Sequence, residues 1–146
     1  MRLTLIIAAA LAAASAASAH VTVWPKTSAP GAHEKYIIRV PNEKQADTIA
    51  VALWFPTGLD VMSFEQKPAW RTEPLRDAAG RIIGARWTGR LPPQQFVEFG
   101  LLAVNPLSRG ELSFTATQLY ADGTKIEWSG QAGSKTPAPH VSLTPR

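Results

Sequence analysis

From residue 21 onward, apolar and polar side chains alternate in short runs, and each run is stopped by Pro, Gly, Asn or Asp. Tyr36, Ile38 and Val40 share one parity with Glu34, while Lys35, Ile37 and Arg39 share the other. Residues two apart lie on one face of a strand. Ile49, Val51, Leu53 and Phe55 form a second apolar row, and Val97, Phe99, Leu101 and Ala103 a third. Leu112, Phe114, Ala116, Gln118 and Tyr120 form a fourth, within one predicted strand over 111–120. Further strands are predicted over 21–24, 34–40, 48–55, 81–87, 96–104 and 124–128, with weaker ones over 59–64 and 70–75 and a short edge strand over 141–143. Residues 27–32 read as a turn, 89–93 as a loop and 130–139 as loop or tail. Asp122-Gly123 is a hairpin signal, because glycine takes positive φ cheaply. No stretch keeps a helical period over three turns. Some eight or nine short strands in one domain predict an all-β antiparallel sandwich of immunoglobulin, fibronectin-III or cupredoxin-like type.

The first 19 residues break this rhythm. Met1-Arg2, an apolar stretch from Leu3 to Ala14, and Ala17-Ser18-Ala19 have the layout of a secretory signal peptide cut after Ala19. The apolar stretch is short for a membrane span, which needs about 20 residues. Two domains of use are therefore expected: a signal over 1–19 and one β-sandwich over 20–146. The product is expected in the periplasm or outside the cell, with no membrane span after cleavage.

Composition narrows the chemistry. The chain has 15 basic and 11 acidic residues and a formal charge of +4. The basic residues are scattered, so nucleic acid is not an expected partner. Cysteine is absent, so any metal must be held by nitrogen and oxygen donors, with the Met62 thioether, or Met1 before cleavage, as possible help. Ser108, Ser113 and Ser142 have no histidine–carboxylate spacing suggestive of a triad, and no glycine loop would cradle a phosphate.

Cleavage after Ala19 would leave His20 as the first residue. Its α-amine and its ring nitrogen Nδ1 would then close a six-membered chelate around one metal ion. An α-amine titrates near pH 8 and an imidazole near 6.5 in reference peptides, so both are available as donors near neutrality. Among divalent first-row metals such nitrogens favour Cu(II), which also accepts oxygen donors in a roughly square arrangement. A carboxylate is the natural third donor. Glu34 and Glu43 are early enough in the chain to lie beside the first strand, and Glu127 and Asp122 are further candidates. Trp24 has the strand parity of His20 and could lie near the metal.

The stretches "AHVTVWP", "VPNEK", "FGLLAVNP", "GELSFTATQLYADGTKIEWSG" and the closing "PAP.VSL" together resemble the YcnI-like family of bacterial copper-binding domains, from His20 to Leu143. The resemblance implies a β-sandwich with a mono-histidine brace. In it the N-terminal histidine chelates Cu(II), a glutamate completes the coordination and a tryptophan lies close by. Carried onto this sequence, these residues are His20, Glu43 (with Glu34 as substitute) and Trp128. The implied role is to hold or transfer copper as a carrier in copper homeostasis, passing it among other periplasmic copper-handling proteins. Two other functions are open to the sequence. A copper-dependent oxidoreductase would need a second imidazole, from His33 or His140. A metal-free binding module would use exposed tryptophans such as Trp54 or Trp70.

Overall fold

The computed structural model describes residues 19–145. The expected signal segment, Ala19 apart, lies outside the described residues. Twelve strands follow in order: β1 (Thr22–Trp24), β2 (Thr27–Ser28), β3 (His33–Pro41), β4 (Thr48–Trp54), β5 (Asp60–Phe64), β6 (Arg71–Arg76), β7 (Ile82–Leu91), β8 (Phe96–Val104), β9 (Gly110–Ser113), β10 (Thr115–Tyr120), β11 (Lys125–Trp128) and β12 (His140–Leu143). One sheet has the order β1-β3-β8-β5, and a second has the order β11-β10-β4-β7-β6. A third, β2-β12-β9, contains the parallel pair β2 and β12. No helix of the described residues is long and apolar enough to cross a membrane.

The predicted apolar rows form the core. Tyr36, Ile38 and Val40 from β3 and Val97, Phe99, Leu101 and Ala103 from β8 are buried against Val51, Leu53, Ala85 and Trp87 of the second sheet. Trp87 and Phe99 stack with centroids 4.5 Å apart, and Trp70 meets Phe99 edge-on at 5.1 Å. Such aromatic pairs add to the gain from burial alone. Trp70 also lies over Gly89, where an added Cβ would come within 2.4 Å of the indole. That close approach explains a glycine inside β7.

Three predicted boundaries differ from the observed ones. The run 111–120 is two strands. β9 pairs with β12, β10 pairs with β4 and β11, and Phe114 between them donates its N–H to Pro139 O at 2.8 Å. The inward parity of Leu112, Phe114 and Ala116 is kept while the chain changes sheets. The predicted loop 89–93 belongs to β7 as far as Leu91, which is buried and pairs with Thr48. The predicted turn at 27–32 contains β2, which pairs with β12. At the start of β4 the register against β7 shifts between Thr48 and Ala50, and Thr48, Ala50 and Val51 are all buried while Ile49 is only half-buried.

β1 and β5 are the outer strands of one main sheet, and β11 and β6 those of the other. Edges need protection from stray pairing. β1 and β11 are short, β5 is bulged between Val61 and Ser63, and β6 carries Pro74.

Candidate metal centre

His20 stands two residues before β1. Val21 and Val23 are buried and anchor the strand, and Thr22 pairs with Arg39. The His20 ring is half-buried and lies against Trp128 at the end of β11, with centroids 5.7 Å apart and planes tilted by 53°. Trp128 itself is buried, and its indole Nε1–H donates to Gln118 Oε1 at 3.2 Å. The first residue of the sandwich therefore closes the gap between the outer strands of its two main sheets.

Glu43 lies in the β3–β4 loop, exposed, with its carboxylate turned toward Ala19. Oε1 accepts the backbone N–H of Ala19 at 2.7 Å. The loop is anchored beside it by Asn42, which is 1% exposed. Asn42 Nδ2 donates to Ala46 O and Leu91 O at 2.9 and 3.0 Å, and its Oδ1 accepts the Lys44 N–H at 2.9 Å. An asparagine bonding its own loop in this way fixes a turn that Glu43 must follow. Lys44 Nζ reaches Thr124 Oγ1 at 2.5 Å and lies 4.4 Å from the centroid of the Tyr120 ring. Tyr120 is pushed up to about 12, chiefly by burial and further by the negative charges of Glu43 and Asp122, against a hydrogen bond with Thr48.

The other sequence candidates lie elsewhere. Glu34 is five residues upstream of Arg39 on β3, roughly 17 Å along the strand, and its Oε2 accepts the Ser28 hydroxyl at 2.7 Å. Its neighbours are Ser28, Asn105 and Tyr36, a hydrogen-bonded group at the opposite end of β3 from Pro41. Trp24 is 39% exposed, donates to Thr22 Oγ1 at 3.0 Å and carries Lys26 and Arg39 against its ring. His33 begins β3 opposite Val104 and is exposed, and His140 pairs with Ser113 and is exposed. Asp122 bonds Thr124 within its turn, and Glu127 lies 3.6 Å from Lys125.

Among the described residues no three His, Asp or Glu side chains form a metal-sized group. The donors at this corner are instead one imidazole, one carboxylate and a backbone nitrogen. A free amine on His20 would make that set a much better metal site, because an amide nitrogen must lose its proton before it can bind. The Ala19 and His20 nitrogens are separated by one residue's backbone, roughly 3 Å, so the carboxylate that reaches the first is close to the second.

Residues 20–143 match the family model described as a domain of unknown function, DUF1775. The chain belongs to this family. Its match begins at His20. The copper-binding protein CutI of Bacillus subtilis strain 168 is 34% identical over 130 residues, covering 88% of this chain and 64% of CutI. The chain thus spans just under two thirds of that relative's length. A solved Nocardia farcinica protein described as having an immunoglobulin-like fold superposes with a TM-score of 0.71 at 26% identity, covering 86% of this chain and 98% of that one. A cohesin module of a Clostridium perfringens family 33 glycoside hydrolase gives 0.57 at 9% identity, covering 87% of this chain and 97% of the module, a likeness of fold alone. The family and the immunoglobulin-like sandwich are those implied by the motifs read from the sequence.

Proposed function

We propose that this protein, once exported and cut after Ala19, binds Cu(II) as cargo through the α-amine and Nδ1 of His20 and the carboxylate of Glu43, with Trp128 beside the site. One observation carries the reading: Glu43 Oε1 lies 2.7 Å from the nitrogen preceding His20, while the His20 ring rests on Trp128. His20 directly follows the residue whose nitrogen Glu43 reaches, although Glu43 comes from a loop 23 residues later in the sequence. The copper-binding name of the Bacillus relative supports the choice of metal.

The residues have separable tasks. His20 supplies both nitrogens, and Cu(II) ranks highest for such donors among divalent first-row metals. Glu43 offsets part of the ion's charge. Trp128 covers one side of the imidazole and restricts its orientation. With only two protein residues involved, positions on the ion stay open to a ligand from a partner. This favours a carrier in copper homeostasis, exchanging metal with other copper-handling proteins of the periplasm or exterior, over an oxidoreductase. A third nitrogen would have to come from His33 or His140, which lie on other strands of the fold.

The test is copper titration of exported protein whose mass corresponds to a start at His20. One Cu(II) per chain, with two coordinated nitrogens by electron paramagnetic resonance, is expected. His20→Ala should abolish tight binding, and unchanged affinity in that variant would refute the proposal.

A further inference from the structure

Gln118 breaks the chemistry of its own strand. It occupies the inward row of β10, between Ala116 and Tyr120, and is fully buried. Placing an unpaired amide there would cost about 1–3 kcal/mol on mutational scales. All the amide's hydrogens are used. Nε2 donates to Pro41 O and to Thr48 Oγ1, both at 2.8 Å, and Oε1 accepts the Trp128 indole N–H at 3.2 Å.

The partners matter more than their number. Pro41 is the last residue of β3 and Thr48 the first of β4. Gln118 therefore grips both ends of the loop that carries Glu43. With its remaining atom it grips the indole against which His20 lies. One side chain joins the two walls of the corner. Its neighbours in the same row are apolar or aromatic, so core filling alone does not explain an amide here.

We propose that Gln118 is a positioning residue, setting the separation between the Glu43 loop and the Trp128 wall around His20. This rests on the copper reading above. It predicts that loss of the amide weakens copper through geometry, although Gln118 touches no proposed ligand.

The experiment compares Gln118→Leu with Asn105→Leu in protein starting at His20. Asn105 is a matched control: also buried, it accepts the Tyr36 hydroxyl and donates to Ser28 Oγ and Ala29 O, near Glu34 and away from His20. Both variants should lose stability. Only Gln118→Leu should weaken Cu(II) binding, on the order of tenfold, the low end of the range for a ligand's direct hydrogen-bond partner, because Gln118 acts one contact further out. It should also alter the Cu(II) paramagnetic spectrum. Without copper, it alone should speed hydrogen exchange at the Trp128 indole N–H and the amides of residues 43–47. Equal copper affinity in folded Gln118→Leu and wild type, or equal losses in both variants, overturns the inference. Should Leu prevent folding, Gln118→Met is close in volume, uncharged and without the amide, and carries the same test; failure of both to fold assigns Gln118 a purely structural role and overturns it too. If wild type binds no copper, the function proposed above has failed instead.

Discussion

Blocking the amine of the first residue is the sharpest perturbation of the proposed site. Consider a protein that begins at Ala19 with an acetylated terminus. The block is needed because a free amine on Ala19 would offer copper a new chelate. In the acetylated form the His20 nitrogen is an amide, and the Ala19 N–H remains on Glu43 Oε1 at 2.7 Å. Two losses follow. The carboxylate must give up a charge-assisted hydrogen bond before it can turn to metal. Since both partners are exposed, the low end of the usual range applies, about 1.5 kcal/mol or roughly tenfold in affinity. The ion also loses a donor that was tethered to the imidazole and needed little further ordering. Together these should weaken Cu(II) binding by at least about 100-fold, with the amine carrying the larger share. Competition against a chromophoric chelator at neutral pH measures the ratio between the blocked protein and one starting at His20. Their unfolding free energies should agree within about 0.5 kcal/mol, because surface changes of this kind seldom cost more. Affinities within threefold of each other would refute the amine–imidazole chelate.

Two further outcomes concern the scaffold around the site. Trp128→Phe removes the N–H that satisfies Gln118 Oε1 and leaves a buried acceptor unpaired; a loss of about 2–4 kcal/mol in urea unfolding is expected, whereas Trp24→Phe, at a 39% exposed position, should cost under about 1 kcal/mol, and equal losses would contradict the packing described. Tyr120, pushed up to about 12 mainly by burial, stays neutral in the fold while the unfolded chain ionises near 10. Its stabilising contribution is therefore complete below pH 10 and is lost as pH rises through 12, by up to about 2.7 kcal/mol for two pH units. Tyr120→Phe should flatten the decline of stability between pH 10 and 12 by that amount, and parallel profiles for variant and wild type would count against it.

The sandwich was legible because burial follows strand parity closely. Val97, Phe99, Leu101 and Ala103 could be assigned to one inward face from spacing alone, and all are buried. What spacing cannot report is which strand lies alongside. Leu112, Phe114 and Ala116 keep one parity while the chain passes from β12's side to β4's, so one strand was expected where two exist. At the His20 corner the expected amine–imidazole pairing rests on where a signal would be cut, which the fold does not bear on. The choice between Glu43 and Glu34 depends on the register of β1 on β3, which puts Thr22 beside Arg39 and so brings the chain start toward Pro41 rather than Glu34. No single-sequence argument supplies that register. Gln118 was visible as the one amide in an apolar row, and its two-ended grip on the Glu43 loop requires knowing that Pro41 and Thr48 both face β10.

The distribution of rigidity around this corner bears on how metal could leave it. The Trp128 side is held by a buried amide, and the ends of the Glu43 loop by Gln118 and Asn42. Glu43 itself is exposed, and His20 has a neighbour on only one side of its covalent chain after cleavage. The proposed site would have walls held by buried hydrogen bonds and donors closer to solvent. Fixed walls keep the entropy cost of forming the site low, since most of the ordering is done by folding. Under the proposed copper role, donors exposed to solvent would let a partner's ligand enter before the carboxylate departs, so that no naked ion need form. Disorder in the walls would therefore weaken affinity, while stiffening of the donors in their bound positions would strengthen it and slow exchange. This separates the expected effects of changes at Gln118 from those at the chain start.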